Sequence, residues 1–185
     1  MMFVGHLGIT LFFCAPLANA LVTSGYRVEV SRWVGLALVA TMLPDADLYI
    51  PWVAHRGPTH SLLAAVCLGV VVAIVAAARW RDPLASSAEY VRLSLLGFVV
   101  GAGSVVSHLL GDIITPMGIR PFFPLDSVYT LNLFYAKDAE ANLASMVVGV
   151  VAFWTVYSRS RDPVPVDGPP ASELAADPDA QSLNP

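Results

Sequence analysis

The segment from Ser61 to Ala78 carries no charged residue, and a run of that length and polarity belongs in the hydrocarbon core of a bilayer. Four other apolar stretches accompany it. They are Met1 to Val22, broken by His6 and Pro16; Trp33 to Pro44; Leu93 to about Thr115, with His108 and Asp112 in its last turns; and Leu143 to Ser158. Lipid offers the backbone no hydrogen-bond partner, so each stretch must satisfy its own amides as a helix. The expectation is an all-α, polytopic membrane helical bundle of about five transmembrane helices. Composition agrees, since 13% of residues are charged against about 25% in a soluble domain.

Two domains are expected: a membrane-embedded domain over residues 1–160 and an acidic, Pro-rich, disordered tail over 161–185. From Asp162 onward there are five acids and no base, and nothing apolar enough to bury. The chain has no basic patch, which excludes nucleic acid as a partner. Cys14 and Cys67 lie inside apolar runs without CxxC spacing, as small buried hydrophobes do. Ala18-Asn19-Ala20 resembles a signal-peptide cleavage site, but no positive n-region precedes it, so the first stretch reads as a span.

The basic residues orient the bundle. On a five-span path, Arg27, Arg32, Arg79, Arg81, Arg92, Arg159 and Arg161 share one side, and Arg56, Arg120 and Lys137 the other. The positive-inside rule then gives a cytoplasmic C-terminus and an external N-terminus. Tyr26, Trp33, Trp80, Tyr90, Trp154 and Tyr157 fall near the inner ends, where an aromatic belt is expected.

That path sends every unusual polar residue to the opposite, outer face. His6 starts the first span, Asp45 and Asp47 end the second, His55, Arg56 and His60 precede the third, and His108 and Asp112 end the fourth. Ionisable groups at membrane depth are costly and have a function by default. His108 and Asp112, four apart, share one helix face. Together they offer an imidazole and a carboxylate to one ion, a donor set that suits zinc, and also manganese or iron. A hydrogen-bonded pair cementing two helices is the competing reading. His55 and His60 flank a Gly57-Pro58 turn that bends both toward one cavity, with Thr59 and Ser61 as caps of the next helix.

Three motifs carry a resemblance: Leu43 to Asp47 (LPDAD), His55 to Ser61 (HRGPTHS) and Ser107 to Leu125 (SHLLGDIITPMGIRPFFPL). In this order they resemble a prokaryotic family of inner-membrane, metal-dependent hydrolases, also described as LexA-binding, inner-membrane-associated hydrolases. The resemblance spans residues 1–160. The chain is also distantly similar to the zinc-dependent phospholipase C and single-strand nuclease superfamily. That similarity implies His6, Asp45, His60, His108 and Asp112 as metal ligands. No histidine follows His108, so the superfamily's second HxxxD/E pair is missing and one or two ions are expected in place of three. Asp126, Asp138 and Glu140 are the later carboxylates outside the tail that could substitute.

The reading is a hydrolase of a phosphoester or lipid-like substrate at one membrane face. Membrane lipid is a partner, Asp47 or His55 takes the proton, and Arg56 stabilises the phosphate charge. The aromatic stretch Pro121 to Tyr135 lies in the membrane interface. The alternative is a non-enzymatic scaffold or regulatory partner with a structural or vestigial metal site. A transporter is disfavoured, because the polar groups collect at one face and trace no path across.

Overall fold

The structure is a computed structural model that describes residues 1–24, 29–80 and 86–159. The tail expected from residue 161 lies outside them. The described chain is helical: α1 (Phe3–Thr23), α2 (Glu29–Ala40), α3 (Leu62–Trp80), α4 (Ser87–Ile113) and α5 (Ala139–Arg159). Two short 3-10 turns, Pro44–Tyr49 and Pro58–His60, join α2 to α3.

Four helices, α1, α3, α4 and α5, are long and apolar enough to cross a membrane. The expected second span is not among them. With 12 residues, α2 rises about 18 Å at 1.5 Å per residue, well short of a hydrocarbon core of about 30 Å. Pro44 supplies the reason. It has no N–H with which to continue the hydrogen-bond ladder, so the chain leaves the helix after Ala40 and continues as the 3-10 turn. The path still reverses at each helix, so the start of α1, the end of α2, the start of α3 and the end of α4 meet at one end of the bundle.

The helices pack through small residues, as expected where lipid provides no hydrophobic drive between them. α3 lies along α4, and α1 along α5, while α2 contacts α1 and α4. Gly97 and Gly101, one turn apart on α4, admit the α3 backbone. A Cβ at either position would stand 2.8 Å from a carbonyl oxygen, Val72 O or Leu68 O respectively. Gly8 and Gly149 bring α1 and α5 together in the same way, backbone against backbone. α4 is the most enclosed of the long helices and α5 the least; α5 turns Leu143, Val147, Val151 and Trp154 outward.

The far end is closed by charge and aromatic contacts. Ser86 caps α4 by accepting the Glu89 N–H. Arg92 bridges Glu89 and Glu29 at 2.6 and 3.2 Å, and the Arg32 guanidinium sits 5.0 Å over the Trp80 ring. Trp33 departs from the expected belt. It is fully buried against Trp80, and its indole N–H donates to Glu29 Oε2.

Candidate metal centre

The end of α4 supplies two candidate ligands and the 3-10 turns supply two more. His108 and Asp112 project one turn apart from α4, while Asp45 and His60 come from the turns that Pro44 and Pro58 begin. Four of their atoms converge. His60 Nε2 lies 3.2 Å from His108 Nε2, 3.4 Å from Asp45 Oδ1 and 3.5 Å from Asp112 Oδ2. His108 Nε2 lies 3.4 Å from Asp45 Oδ1 and 3.6 Å from Asp112 Oδ2. Four ligands at about 2.0–2.1 Å around a tetrahedral ion stand about 3.3–3.4 Å apart. The five separations fall around that edge length.

The hydrogen bonds behind the quartet fix which nitrogens face inward. His108 Nδ1 is 2.7 Å from Thr41 O, and a carbonyl only accepts, so this nitrogen carries the proton. The Thr41 carbonyl is available because residue 44 is proline and has no N–H to offer it. Thr59 spends its hydroxyl proton on Asp47 Oδ2 at 2.5 Å, so its oxygen accepts from His60 Nδ1 at 3.0 Å. Both Nε2 atoms of the neutral rings therefore present lone pairs. Two lone pairs and two carboxylate oxygens, all acceptors, face one point, and His60, His108 and Asp112 are almost wholly buried. Such a set repels itself until a cation joins it, and orienting partners of this kind support metal-binding imidazoles.

Asp112 Oδ2, the inward oxygen, makes no hydrogen bond. Its other oxygen is held by Arg56 Nη2 at 2.8 Å and by the Met1 amine. His6 also stands on that side, its Nε2 3.4 Å from Asp112 Oδ1. The His6 ring is fully buried, stacks on His108 at 3.8 Å, and neither of its nitrogens makes a hydrogen bond. Of the five residues expected as ligands, four thus converge and His6 lies beside them, against the far oxygen of Asp112.

The residues expected to act on a substrate are placed differently from the expectation. Asp47 is buried and its carboxylate is taken up by Thr59, by His55 Nδ1 at 2.8 Å and by His60 Nδ1 at 3.2 Å. It orients two imidazoles. His55 remains half-open, with 32% of its side chain exposed, and its ring meets His60 edge-on at 5.1 Å. Arg56 is buried and commits both terminal nitrogens, Nη2 to Asp112 and Nη1 to Thr115 Oγ1 and Gly118 O. Its direct partner is thus a quartet carboxylate. Of the expected caps, Ser61 accepts the Ala64 N–H at the start of α3, whereas Thr59 serves Asp47. Asp126 pairs with Arg120, Asp138 accepts the Ala141 N–H at the start of α5, and neither joins the quartet, nor does Glu140.

The profile of the YdjM inner membrane protein family matches residues 1–166. The chain belongs to that family. Two relatives carry the name "Inner membrane protein YdjM", one from Escherichia coli strain K12 and one from Shigella flexneri. Each is 25% identical over 170 residues, covering 83% of this chain and 80% of the relative. No solved structure matches. Family membership and four candidate spans make this a multi-pass inner-membrane protein. The YdjM description states no activity, so the hydrolase implied by the sequence motifs is taken up below as a proposal.

Several residues that shape the centre have no conspicuous sequence signal. Thr10, Thr41 and Ser107 join their hydroxyls across α1, the end of α2 and α4, at 2.9 and 2.8 Å. Gly111 leaves room for His6, since a Cβ there would lie 2.6 Å from Nδ1. The visible clue is the spacing of Ser104, Ser107, His108, Gly111 and Asp112, a small and polar stripe down one face of an otherwise apolar helix.

Proposed function

We propose that this YdjM-family chain is a metal-dependent hydrolase acting on a phosphoester or lipid-like substrate at one face of the inner membrane. The observation that carries the proposal is the buried, acceptor-only quartet at tetrahedral edge distances. Asp45, His60, His108 and Asp112 would hold one ion, with zinc the best fit to two nitrogens and two oxygens. His6 stands outside that set, beside the Asp112 oxygen that Arg56 and the Met1 amine already hold. When bound, the metal supplies Lewis acidity and a water acidified to near neutral pH.

The chain's own residues do the rest. His55, partly exposed and held through Nδ1 by Asp47, accepts a proton at Nε2, and Asp47 stabilises the imidazolium that results. Arg56 positions Asp112 by fixing one oxygen so that the other faces the quartet. The apolar loop around Met117, Phe122 and Leu125, all well exposed, rests in the membrane interface and keeps the site at headgroup level. The arginine distribution supports an external site and a cytoplasmic C-terminus. One observation favours the scaffold reading: four protein ligands fill a tetrahedron, as structural sites do. The His55–Asp47 pair beside the quartet weighs against it, because a structural ion needs no half-exposed proton acceptor.

The test uses detergent-purified protein. Metal content is measured by elemental analysis, and hydrolysis of an activated phosphodiester and of phospholipid vesicles is followed with and without chelator. Chelator-sensitive hydrolysis that His55→Ala abolishes while keeping its metal supports the enzyme. Stoichiometric metal without hydrolysis of either substrate supports the scaffold.

A further inference from the structure

Next to the quartet is a cavity of about 160 Å³, lined by His55, Arg56, Met117, Gly118, Ile119, Arg120 and Val128. We propose that it is an anion site that takes the phosphate group of a phosphoester. The inference deepens the hydrolase reading by naming the charged part of the substrate, and its binding arm can be measured without catalysis.

The lining set holds two guanidiniums and an imidazole and no carboxylate. Arg56 is 7% exposed, and each of its terminal nitrogens has a partner, but its Nε is buried and makes no hydrogen bond. A buried donor left unpaired is costly, and an anion oxygen in the cavity is the acceptor it needs. Arg56 also holds a φ of +60°, a region that non-glycine residues seldom occupy and that clusters at functional sites. Arg120 has its Nε 2.8 Å from Asp126 Oδ1 without an aligned hydrogen bond, and Asp126 is 88% exposed. That contact is weak enough for a better-placed anion to replace it. A planar guanidinium suits phosphate oxygens in particular.

The cavity abuts the quartet through two residues. Arg56 lines it and touches Asp112. His55 lines it, shares Asp47 with His60, and meets the His60 ring edge-on. An anion held here therefore sits beside the quartet and beside the proton acceptor of the proposed reaction. Two sources share this chemistry, a lipid headgroup and a soluble phosphoester. The exposed Met117 on the cavity wall, and the exposed Phe122 and Leu125 that follow Arg120 in the same loop, suit the lipid.

Calorimetric titration separates the possibilities. The probes are dihexanoyl phosphatidic acid below its micellar concentration and inorganic phosphate, each added to the full chain in detergent, before and after chelator treatment. The expected result is binding of the lipid phosphate that Arg120→Gln weakens on the order of tenfold, the worth of one charge-assisted contact, at an unchanged metal-to-protein ratio. Val128→Glu, which adds a carboxylate to the cavity wall, should weaken it at least as much and guards against a misfolded arginine variant. Binding of inorganic phosphate alone, with the same dependence on Arg120, assigns the site to soluble phosphoesters. Equal affinity in wild type and both variants, or no binding of either probe, overturns the anion site. Arg120-dependent binding in protein that never holds metal leaves the anion site standing and removes the metal reading alone.

Discussion

His108→Ala tests the centre most directly, because His108 supplies three of the five separations that define it, at 3.2, 3.4 and 3.6 Å. Removing it leaves three candidate ligands, two of which cannot move far, since His60 is fixed by Thr59 and Asp112 by Arg56. The substitution also strips the Thr41 carbonyl of its partner, an unsatisfied buried acceptor costing about 1–3 kcal/mol. Thermal melting in detergent with and without added zinc distinguishes the two contributions. Wild type should gain stability with zinc, by about 2.7 kcal/mol when free ion stands at 100 times its dissociation constant. The variant should start lower by the Thr41 term and gain none of the zinc-dependent part. Thr155→Ala, near the opposite end of α5, controls for general damage and should keep the full zinc response. If His108 were only interhelical glue, its loss would cost about 1 kcal/mol and leave the metal content alone. A folded His108→Ala protein with the wild-type metal-to-protein ratio refutes the quartet as a metal site.

Three further outcomes follow from the same geometry. Asp47→Asn keeps the shape but removes the charge behind His55 and His60, and should lower metal affinity by about 10–100-fold in a chelator competition; an unchanged affinity would show that Asp47 does not orient His60. Gly101→Val drives a side chain into the α3 backbone, where a Cβ already lies 2.8 Å from Leu68 O. It should cost about 1–3 kcal/mol in detergent melting while the folded fraction keeps its metal, and a neutral effect would contradict the close helix contact. Asp45→Ala removes the one ligand that is partly exposed, 28% against 0–1% for the other three. It should retain more metal than His108→Ala, measured by elemental analysis at matched loading, and equal loss in the two variants would count against an ordered difference between them.

The sequence made the helices and the polar clustering visible for different reasons. Apolar run length identifies α1, α3, α4 and α5, because lipid imposes a minimum length that few other environments share. α2 misled the same logic, since Trp33 to Leu43 carries no charge, and only Pro44 says that the helix must stop. Charge bias and helix alternation together place His6, Asp45, His60, His108 and Asp112 at one end. The division of labour among them was not legible. Asp45 and Asp47 are two apart and chemically identical, yet one faces the quartet and the other supports it from behind, a distinction made by the register of a 3-10 turn. Arg56 reads as a free cation in the sequence. Its burial against Asp112, Thr115 and Gly118 depends on a loop contributed by residues about 60 positions away.

The arrangement also bears on which of the rival functions this architecture can perform. A transporter needs polar partners along a path, and here the groups thin out in order of depth. The ionisable quartet gives way to the hydroxyl cluster of Thr10, Thr41 and Ser107, and then to the apolar packing around Trp33, Val34, Ala37 and Val100. At the far end Arg92 pairs with both Glu29 and Glu89. Among the described residues, the quartet therefore has polar neighbours toward one face only. Within it, three ligands are buried and cross-braced, while Asp45 sits on a short turn with part of its side chain open. A carboxylate in that position is the ligand that can yield. Its displacement would open a coordination place on the solvent side, which is the difference between a closed structural tetrahedron and a centre of three fixed ligands with room for water. The enzyme and scaffold readings thus turn on the same residue, and the retention of metal without Asp45 is the property that an exchangeable fourth ligand requires.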